Sequence, residues 1–129
     1  MILMDTHVWL RWIAPGAHPL PAAMIEALAE ADFVHVSAIS HWEVAYLEKR
    51  GRVTLPIPIL EWLQEATDGS SILTLDLTAA IARRAALLPD LHRDPADRFI
   101  AATALTHNIH LATLDQHILA YPELGGLLV

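Results

Sequence analysis

Acidic residues in four separate parts of the chain have the chemistry of ligands for a divalent cation. Asp5 directly follows a short apolar run, Ile2–Met4, and Asp115 follows a later one. Glu43 lies inside a largely apolar segment, and Asp97 opens an alanine-rich one. Hard cations such as Mg²⁺ prefer carboxylate oxygens together with water and substrate phosphate. If the fold brings these acids together, they form a candidate metal site.

Glu43 is the most informative of these acids, because its neighbours predict that it is half-buried. A buried carboxylate without a partner either takes up a proton or binds a cation. Asp97 has a second acid close by, Asp94, and the basic residues that accompany this pair are Arg93 and Arg98. Two positive charges are too few to neutralise the whole set of acids, which favours a bound divalent cation.

The elements that must position these acids alternate along the chain. Short apolar runs predict strands at Ile2–Met4, Phe33–Ser37, Ile72–Leu75 and His110–Thr113. Helical spacing of apolar residues predicts helices at Thr6–Ile13, Ala22–Ala31, Ile39–Arg50, Ile59–Ala66, Thr78–Leu88 and Pro95 to about His107. The alternation predicts an α/β fold with a mostly parallel sheet of four to five strands flanked by helices. In such folds ligands bind at the carboxyl ends of the strands.

Helix capping is the structural alternative for several of the acids. An acid after a strand often caps the next helix, as Asp5 could do, and Asp97 could favour the dipole of its own helix. Asp76 follows Ile72–Leu75 much as Asp5 follows the first strand, and we interpret Asp76 as a cap because nothing else near it is acidic. Glu43 has no capping role at an interior helical position.

Composition limits the class of protein. The 129 residues are 54% apolar and 18% charged, which predicts one folded domain over residues 1–129 and excludes a disordered chain. The absence of cysteine excludes disulfides and thiolate zinc sites. The net charge of −7 is opposite in sign to that of a non-specific nucleic-acid coat. No secretory signal or membrane span is evident, so we expect a cytoplasmic protein without membrane contact.

Several motifs together carry a family resemblance over nearly the whole chain. They are Leu3-Met4-Asp5-Thr6-His7, the segment from Val36 to Ala45, Gly51-Arg52 with the apolar residues after it, the segment from His92 to Ala102, and Leu111-Ala112-Thr113-Leu114-Asp115. In these segments the chain resembles the PIN-domain ribonucleases and, within them, the VapC toxins of toxin–antitoxin pairs. No single motif is decisive, but their order and spacing agree with that family.

The resemblance implies an activity, a cofactor and partners. The family's four catalytic and metal-binding acids fall on Asp5, Glu43, Asp97 and Asp115, and an acid of one sub-family falls on Asp94, whose direct or supporting role is left open. The implied cofactor is Mg²⁺ or Mn²⁺. The implied partners are an RNA substrate, a second copy of the chain in a homodimer, and a small VapB-like antitoxin that blocks the acidic cleft, often with a basic side chain.

The working hypothesis is a metal-dependent endoribonuclease in which carboxylates hold a metal-activated water. Thr6, Ser37 and Thr113 are predicted to hydrogen-bond the metal ligands, or else to be caps and strand-end hydroxyls. For Arg98, an ion pair with an acid is preferred over a contact with RNA. The four tryptophans are interpreted as core and interface residues rather than a base-stacking platform.

Two rival hypotheses belong to other classes. A phosphoacceptor signalling domain needs adjacent acids after its first strand and a lysine after a late strand, whereas here Asp5 is single and Lys49, the one lysine, lies in a predicted helix. A catalytically inert PIN fold that serves as a binding module is the stronger rival. The intact set of acids argues against it.

Overall fold

A four-stranded parallel sheet forms the centre of the molecule. The computed structural model describes residues 1–90 and 94–129, so His92 and Arg93 of the motif above, and the end of the predicted loop Pro89–Arg93, lie outside the described residues. The strands are β1 (Ile2–Met4), β2 (Val34–Ser37), β3 (Ile72–Leu75) and β4 (His110–Ala112). Their order is β3-β2-β1-β4, which places β1 between β2 and β4.

Helices follow the strands closely along the chain. They are α1 (Thr6–Ile13), α2 (Ala22–Glu30), α3 (Ala38–Lys49), α4 (Ile59–Glu65), α5 (Ala79–Leu87), α6 (Pro95–His107) and α7 (Gln116–Leu119), with short 3₁₀ helices at Asp68–Ser70 and Pro122–Leu124. The predicted α/β fold with a parallel sheet of four to five strands is confirmed. The short α7 was not predicted, because four residues are too few to produce a periodic pattern.

The sheet is covered on both faces, because successive residues of each strand point to opposite sides. Helices α1, α2 and α4 pack on one face, with Trp9 and Trp62 among the buried side chains. Helices α5, α6 and α7 pack on the other, around Leu3, Ile81, Ile100 and other apolar residues. Strands with both faces buried read as continuous apolar runs, which explains why β1, whose three residues are all buried, was predictable from the sequence. The edge strand β3 is also an apolar run, although Leu73 and Thr74 in it are exposed.

The tryptophans do not all share one environment. Trp9 and Trp62 belong to the core, as predicted, and Trp12 packs against the same core. Trp42 is different, since 55% of its surface is exposed on the outer side of α3. Trp42 is therefore not a core residue, because the buried side of α3 is taken by Ser40, Glu43 and Val44. For Trp42 the interface position, the other half of the expectation, stays a prediction.

The ends of α6 are defined by residues with clear local roles. Asp94 is the N-cap and accepts a hydrogen bond from the backbone N–H of Ala96 at 3.0 Å. Pro95 occupies the first turn, where its missing N–H costs nothing. Asn108 ends the helix at a φ of 51°, a left-handed conformation that asparagine tolerates. Asp94 and Pro95 thus fix the first turn of α6, which carries Asp97. Within the described ranges, every helix is too short or too polar to traverse a bilayer.

Candidate metal centre

Three carboxylates form the tightest acidic group among residues 1–90 and 94–129. Glu43 extends from α3, and Asp94 and Asp97 lie three residues apart at the start of α6, where that spacing puts them on one face. One ligand oxygen from each lies within 4.8 Å of the others. Glu43 and Asp97 are buried, whereas Asp94 is exposed. The group therefore forms the wall of a site that opens to solvent at Asp94.

Asp5 and Asp115 stand at the carboxyl ends of the neighbouring strands β1 and β4. Each of them caps the helix that follows it: Asp5 Oδ1 accepts a hydrogen bond from the Val8 N–H at 2.8 Å, and Asp115 Oδ1 accepts one from the His117 N–H at 2.8 Å. Both also raise the pKa of Asp97 through their negative charge. Capping and participation in the acidic cluster are therefore compatible roles for one aspartate.

The electrostatics of Asp97 show how closely the five acids are packed. Burial, followed by repulsion from Asp94, Glu43, Asp115 and Asp5 in that order, raises the pKa of Asp97 from 3.8 to about 8. A carboxyl group with that pKa holds a proton at neutral pH unless a cation replaces it. The five carboxylates consequently act as one electrostatic unit, which we call the acidic cluster.

Glu43 has one buried carboxylate oxygen whose hydrogen-bonding capacity the described residues do not satisfy. Its Oε1 is buried and has no hydrogen-bond donor among the residues that the structure describes. Burial is the main cause that raises the pKa of this carboxyl, and Asp94 and Asp5 add to it, while Thr6 and His7 oppose the shift. A buried acceptor without a donor is rare in proteins and costs free energy unless a cation satisfies it.

Asp5 is more completely satisfied than Glu43. Its exposed fraction is 3%, and burial raises its pKa. Its Oδ2 accepts a short hydrogen bond from the hydroxyl of Thr113, which together with the Val8 N–H lowers the pKa and partly offsets burial. These two donors fix the orientation of the Asp5 carboxylate before any ligand arrives.

The donor set of the acidic cluster fits a hard divalent cation. All the converging side chains offer carboxylate oxygens, the ligand type that Mg²⁺ and Mn²⁺ take. The unsatisfied oxygen of Glu43 and the proton-holding Asp97 are the two groups that a cation would most relieve. The residues described here thus fit a metal ion, as the sequence suggested.

The predicted supporting hydroxyls have different partners. Thr113 donates to Asp5 and accepts the backbone N–H of Asp115 at 3.1 Å, so it links two acids of the cluster. Thr6 donates to Ser40 Oγ at 2.9 Å and lowers the pKa of Glu43. Ser37 instead accepts the Ile39 N–H at 3.1 Å as the N-cap of α3. For Ser37 the structure therefore gives the capping role, the alternative already open at the level of sequence.

The guanidinium of Arg98 is engaged in contacts within the protein rather than presented to solvent as an RNA contact would be. Its guanidinium donates to the carbonyl oxygens of Leu88 at 2.7 Å, Ala85 at 2.8 Å and Pro89 at 3.0 Å, and it lies 3.6 Å from the Asp90 carboxylate. These contacts satisfy carbonyls at the C-terminal end of α5. Arg98 thus joins α6 to α5, and the acid that it pairs with lies outside the cluster.

Asp76 requires a correction. It was expected to cap α5, but the N-cap is Thr78, whose Oγ1 accepts the Ile81 N–H at 3.2 Å. Two residues separate Asp76 from the start of the helix, and its side chain is exposed. The sequence signal that would have avoided this error is Thr78 itself, directly before the first helical alanine.

His7 and Arg11 line a small pocket that the sequence analysis did not assign to the site. The pocket has a volume of about 170 Å³, and its other walls include Asp5 and Asp115. His7 also lowers the pKa of Asp5 and of Glu43 through its charge. Its position two residues after Asp5 was the available signal, because α1 begins between them and turns both toward one end of the sheet.

Comparisons with known proteins point to one family. The family model of the PIN domain matches residues 2–124. The curated protein Ribonuclease VapC22 of Mycobacterium tuberculosis is 38% identical over 118 residues, which cover 91% of this chain and 88% of that protein.

Solved structures share the fold over the full length of the chain. The crystal structure of VapBC2 from Rickettsia felis, bound to a DNA fragment from their promoter, superposes with a TM-score of 0.69 at 22% identity and covers 100% of this chain and 98% of that one. A toxin–antitoxin complex from Klebsiella pneumoniae superposes with a TM-score of 0.65 at 19% identity, covering 100% and 96%. At these identities the likeness is one of fold.

Proposed function

Because this chain belongs to the PIN domain family and is a relative of the VapC ribonucleases, we propose that it is a metal-dependent endoribonuclease acting as the toxin of a toxin–antitoxin pair. The catalytic and metal-binding residues of the proposal are Asp5, Glu43, Asp97 and Asp115, with Asp94 as a further ligand. Mg²⁺ or Mn²⁺ is the proposed ion. A cytoplasmic location is part of the same proposal.

The observation that carries the proposal is the convergence of Glu43, Asp94 and Asp97, whose ligand oxygens lie within 4.8 Å of one another. Burial, followed by the charges of four other carboxylates, raises the pKa of Asp97 from 3.8 to about 8, in keeping with this convergence. A fold that only needed a helix cap or an ion pair has no reason to gather five acids, because each adds repulsion to the others. The inert binding module has no use for this arrangement, whereas a metal-dependent nuclease requires it.

The chain's own residues divide the chemistry between them. Glu43, Asp94 and Asp97 offer the converging oxygens that would hold the ion, and Asp5 and Asp115 add negative charge from the strand ends. When bound, a divalent cation attracts the phosphodiester, lowers the pKa of the attacking water and stabilises the charge that develops during in-line displacement. The Thr113 hydroxyl and the Val8 N–H both donate to the Asp5 carboxylate and hold it in position.

The net charge of −7 becomes understandable in this proposal. Five of the fifteen acidic residues belong to the cluster, where a cation compensates them. Phosphate would then be attracted locally by the ion rather than by a basic surface. The same reasoning favours an antitoxin that inserts a basic side chain into the cluster, since such a group would compete with the ion.

An antitoxin partner is supported by the solved relatives, which are toxin–antitoxin complexes by their own descriptions. The proposed homodimer rests on the family resemblance and on the apolar side chains left at the surface. Leu60, Leu73 and Leu87 are among those exposed in the single chain. Scattered exposed apolar residues are common, so the dimer is to be tested by the mass of the protein in solution.

A cleavage assay with paired variants tests the enzymatic part. Purified protein is incubated with end-labelled structured RNA in Mg²⁺, in Mn²⁺ and in EDTA. We expect cleavage only with a divalent ion, and a loss on the order of 10²–10³ in rate for Glu43→Gln. Glu48→Gln is the matched control, because it makes the same change on α3 outside the cluster and should keep the wild-type rate. Equal cleavage in EDTA, or an active Glu43→Gln, contradicts the proposal.

A further inference from the structure

The outer side of α3 carries two aromatic rings and a guanidinium in series. The rings of Trp42 and Tyr46 stack with centroids 4.9 Å apart and planes 15° from parallel. The guanidinium carbon of Arg50 lies 5.0 Å from the centre of the Tyr46 ring. The three residues are spaced by four, which aligns them along one side of a helix. We call this row Trp42, Tyr46 and Arg50 the α3 ladder.

The ladder is exposed rather than packed into the core. The exposed fractions are 55% for Trp42 and 39% for Tyr46. Trp42 stacks on Tyr46 and the Arg50 guanidinium lies over the same ring, so Trp42, at the end of the row, is the more open of the two rings. Large aromatic side chains on a surface are typical of sites that bind a flat or apolar partner.

The ladder and Glu43 are carried by the same helix. On a regular helix Tyr46 lies about 60° and Trp42 about 100° around the axis from Glu43, in the same direction. From Trp42 to Arg50 the row extends about 12 Å along α3. The ladder thus starts at the residue before Glu43 and runs along the neighbouring side of α3.

Positive charge is concentrated at the far end of the ladder. Three of the eight basic residues of the chain, Lys49, Arg50 and Arg52, fall within four positions there. Gly51, at a φ of 72°, reverses the chain after α3, and the Arg52 N–H donates to the Leu47 carbonyl at 2.9 Å. This helix ending keeps Arg52 close to Arg50.

A groove accompanies this basic end. Its volume is about 300 Å³, and Tyr46, Leu47, Arg50 and Arg52 line it. One aromatic ring and two guanidinium groups thus share one depression. Arg50 and Arg52 therefore place two positive charges at one groove, the charge pattern that suits a phosphate.

We propose that the α3 ladder, together with Arg52, binds single-stranded RNA and leads it to the acidic cluster. The proposal rests on the nuclease function proposed above, because it assigns the path by which that substrate reaches the site. Proteins bind single strands with a basic groove that follows the phosphates and with aromatic rings on which bases stack. The ladder and its groove combine both features on a protein that is otherwise acidic.

Charge favours RNA over a protein segment as the occupant. An apolar helix laid on the ladder would bury the guanidinium groups of Arg50 and Arg52 without partners, which is costly. A polynucleotide offers a phosphate to each of them and a flat base to the exposed ring of Trp42.

Binding without cleavage is the direct test. A fluorescein-labelled single-stranded RNA of about 12 nucleotides, within the usual site size, is titrated with the full-length protein in EDTA, and anisotropy is measured. Gel electrophoresis afterwards checks that the RNA is intact. We expect Trp42→Ala and Tyr46→Ala each to bind about tenfold more weakly than wild type. Trp42→Phe should retain most of the affinity, because phenylalanine also stacks.

The arginines are tested through the salt dependence of binding. Each lost phosphate contact should reduce the slope of log affinity against log salt by about 0.7 for a single strand. We therefore expect Arg50→Gln and Arg52→Gln to bind more weakly and with shallower slopes. The matched controls are Phe33→Ala, an exposed aromatic on the loop before β2, and Arg83→Gln, an exposed arginine on α5. Both should behave as wild type.

The outcomes separate the two proposals. Weaker RNA binding by the ladder variants, with unchanged melting temperatures, supports the ladder even if no divalent ion activates cleavage. Wild-type binding by Trp42→Ala and Tyr46→Ala overturns the ladder, and metal-dependent cleavage by the same protein leaves the nuclease proposal intact. Wild-type RNA binding combined with reduced retention of a co-expressed antitoxin also overturns it, because the ladder would then be a protein-binding surface.

Discussion

Two aspartates in similar local sequence, Asp5 and Asp76, have opposite environments in this molecule. Asp5 follows β1 and Asp76 follows β3, and each comes directly after the last residue of an apolar strand. Asp5 is buried and interacts electrostatically with three other acids, Asp115, Glu43 and Asp97, whereas Asp76 is exposed. Strand order explains the difference. β1 has neighbours on both sides, so the carboxyl ends of β2 and β4 surround Asp5, while β3 is at the edge of the sheet.

The residues around the two aspartates add a second difference. Asp5 stands immediately before α1 and also caps it. Asp76 is two residues too early, and Thr78 caps α5 in its place. An aspartate that caps a helix can therefore also have a functional role. The lack of a capping role, as at Asp76, does not by itself indicate a functional one. Asp76 is consequently a natural control for the cluster.

The largest expected effect is on RNA cleavage. Asp5→Asn should lower the cleavage rate on the order of 100-fold or more, because it removes a negative charge from the acidic cluster. Asparagine still caps α1, so the fold should survive, as a melting curve would verify. Asp76→Asn should leave the rate unchanged. Equal rates for these two variants would show that position in the strand order does not determine the chemistry.

The next effect compares two threonines, Thr113 and Thr74, which stand two residues before Asp115 and Asp76 respectively. Thr113 holds Asp5, and its removal in Thr113→Val should weaken Mn²⁺ binding about 10- to 100-fold in a calorimetric titration. Thr74 stands in the same relation to Asp76, but its hydroxyl contacts His41 at 3.0 Å. Thr74→Val should leave Mn²⁺ binding unaltered. A similar loss in both variants would point to general damage to the sheet instead.

The pH dependence of metal binding sharpens the comparison further. Asp97 must lose its proton to bind a cation, and its pKa is about 8 in the metal-free protein. Between pH 6 and about 8 the apparent affinity for Mn²⁺ should therefore rise, by at most about tenfold per pH unit. The slope should then flatten. Asp76→Asn should reproduce the wild-type curve, and a flat curve for wild type would contradict the coupling of the five acids.

The smallest effect is on stability without metal. Because the pKa of Asp97 is raised from 3.8 to about 8, the folded state holds an extra proton between these values, and its contribution to the free energy of unfolding falls as pH rises through that window. Asp97→Asn has no such proton. In EDTA at pH 8 it should melt roughly 2–6 °C above wild type.

Asp76→Asn serves as the reference for that measurement. An exposed substitution of this kind usually changes stability by no more than about 0.5 kcal/mol, so its melting temperature should stay close to that of wild type. If Asp97→Asn melted below wild type in EDTA, repulsion within the cluster would not be the dominant cost.

Much of the fold could be predicted from the sequence, and the reasons are local. Apolar runs identified all four strands to within one residue, and helix signals such as Pro95 and Gly51 placed the ends of α6 and α3. The candidate acids were likewise chosen from residue type and position. Asp94, whose direct or supporting role the sequence left open, stands in one group with Glu43 and Asp97, because a spacing of three residues at the start of α6 aligns the two aspartates.

Contacts between distant elements were not predictable in the same way. Three features depend on what packs against each side chain. They are the capping role of Ser37, the hydrogen bonds that Arg98 donates to carbonyls at the end of α5, and the exposed position of Trp42. Trp42 in particular is a large apolar residue of the type common in cores, and only the orientation of α3 places it at the surface.

By itself, the sequence determined which segments become strands and helices and which residue types are available for chemistry, because apolar periodicity and caps act over a few residues. The tertiary structure alone decided that β1 lies between β2 and β4, that Glu43 faces α6, and that Asp76 is left at the edge. Repulsion among carboxylates falls off with distance, so a chemical site arises only where the packing of separate elements overcomes that repulsion.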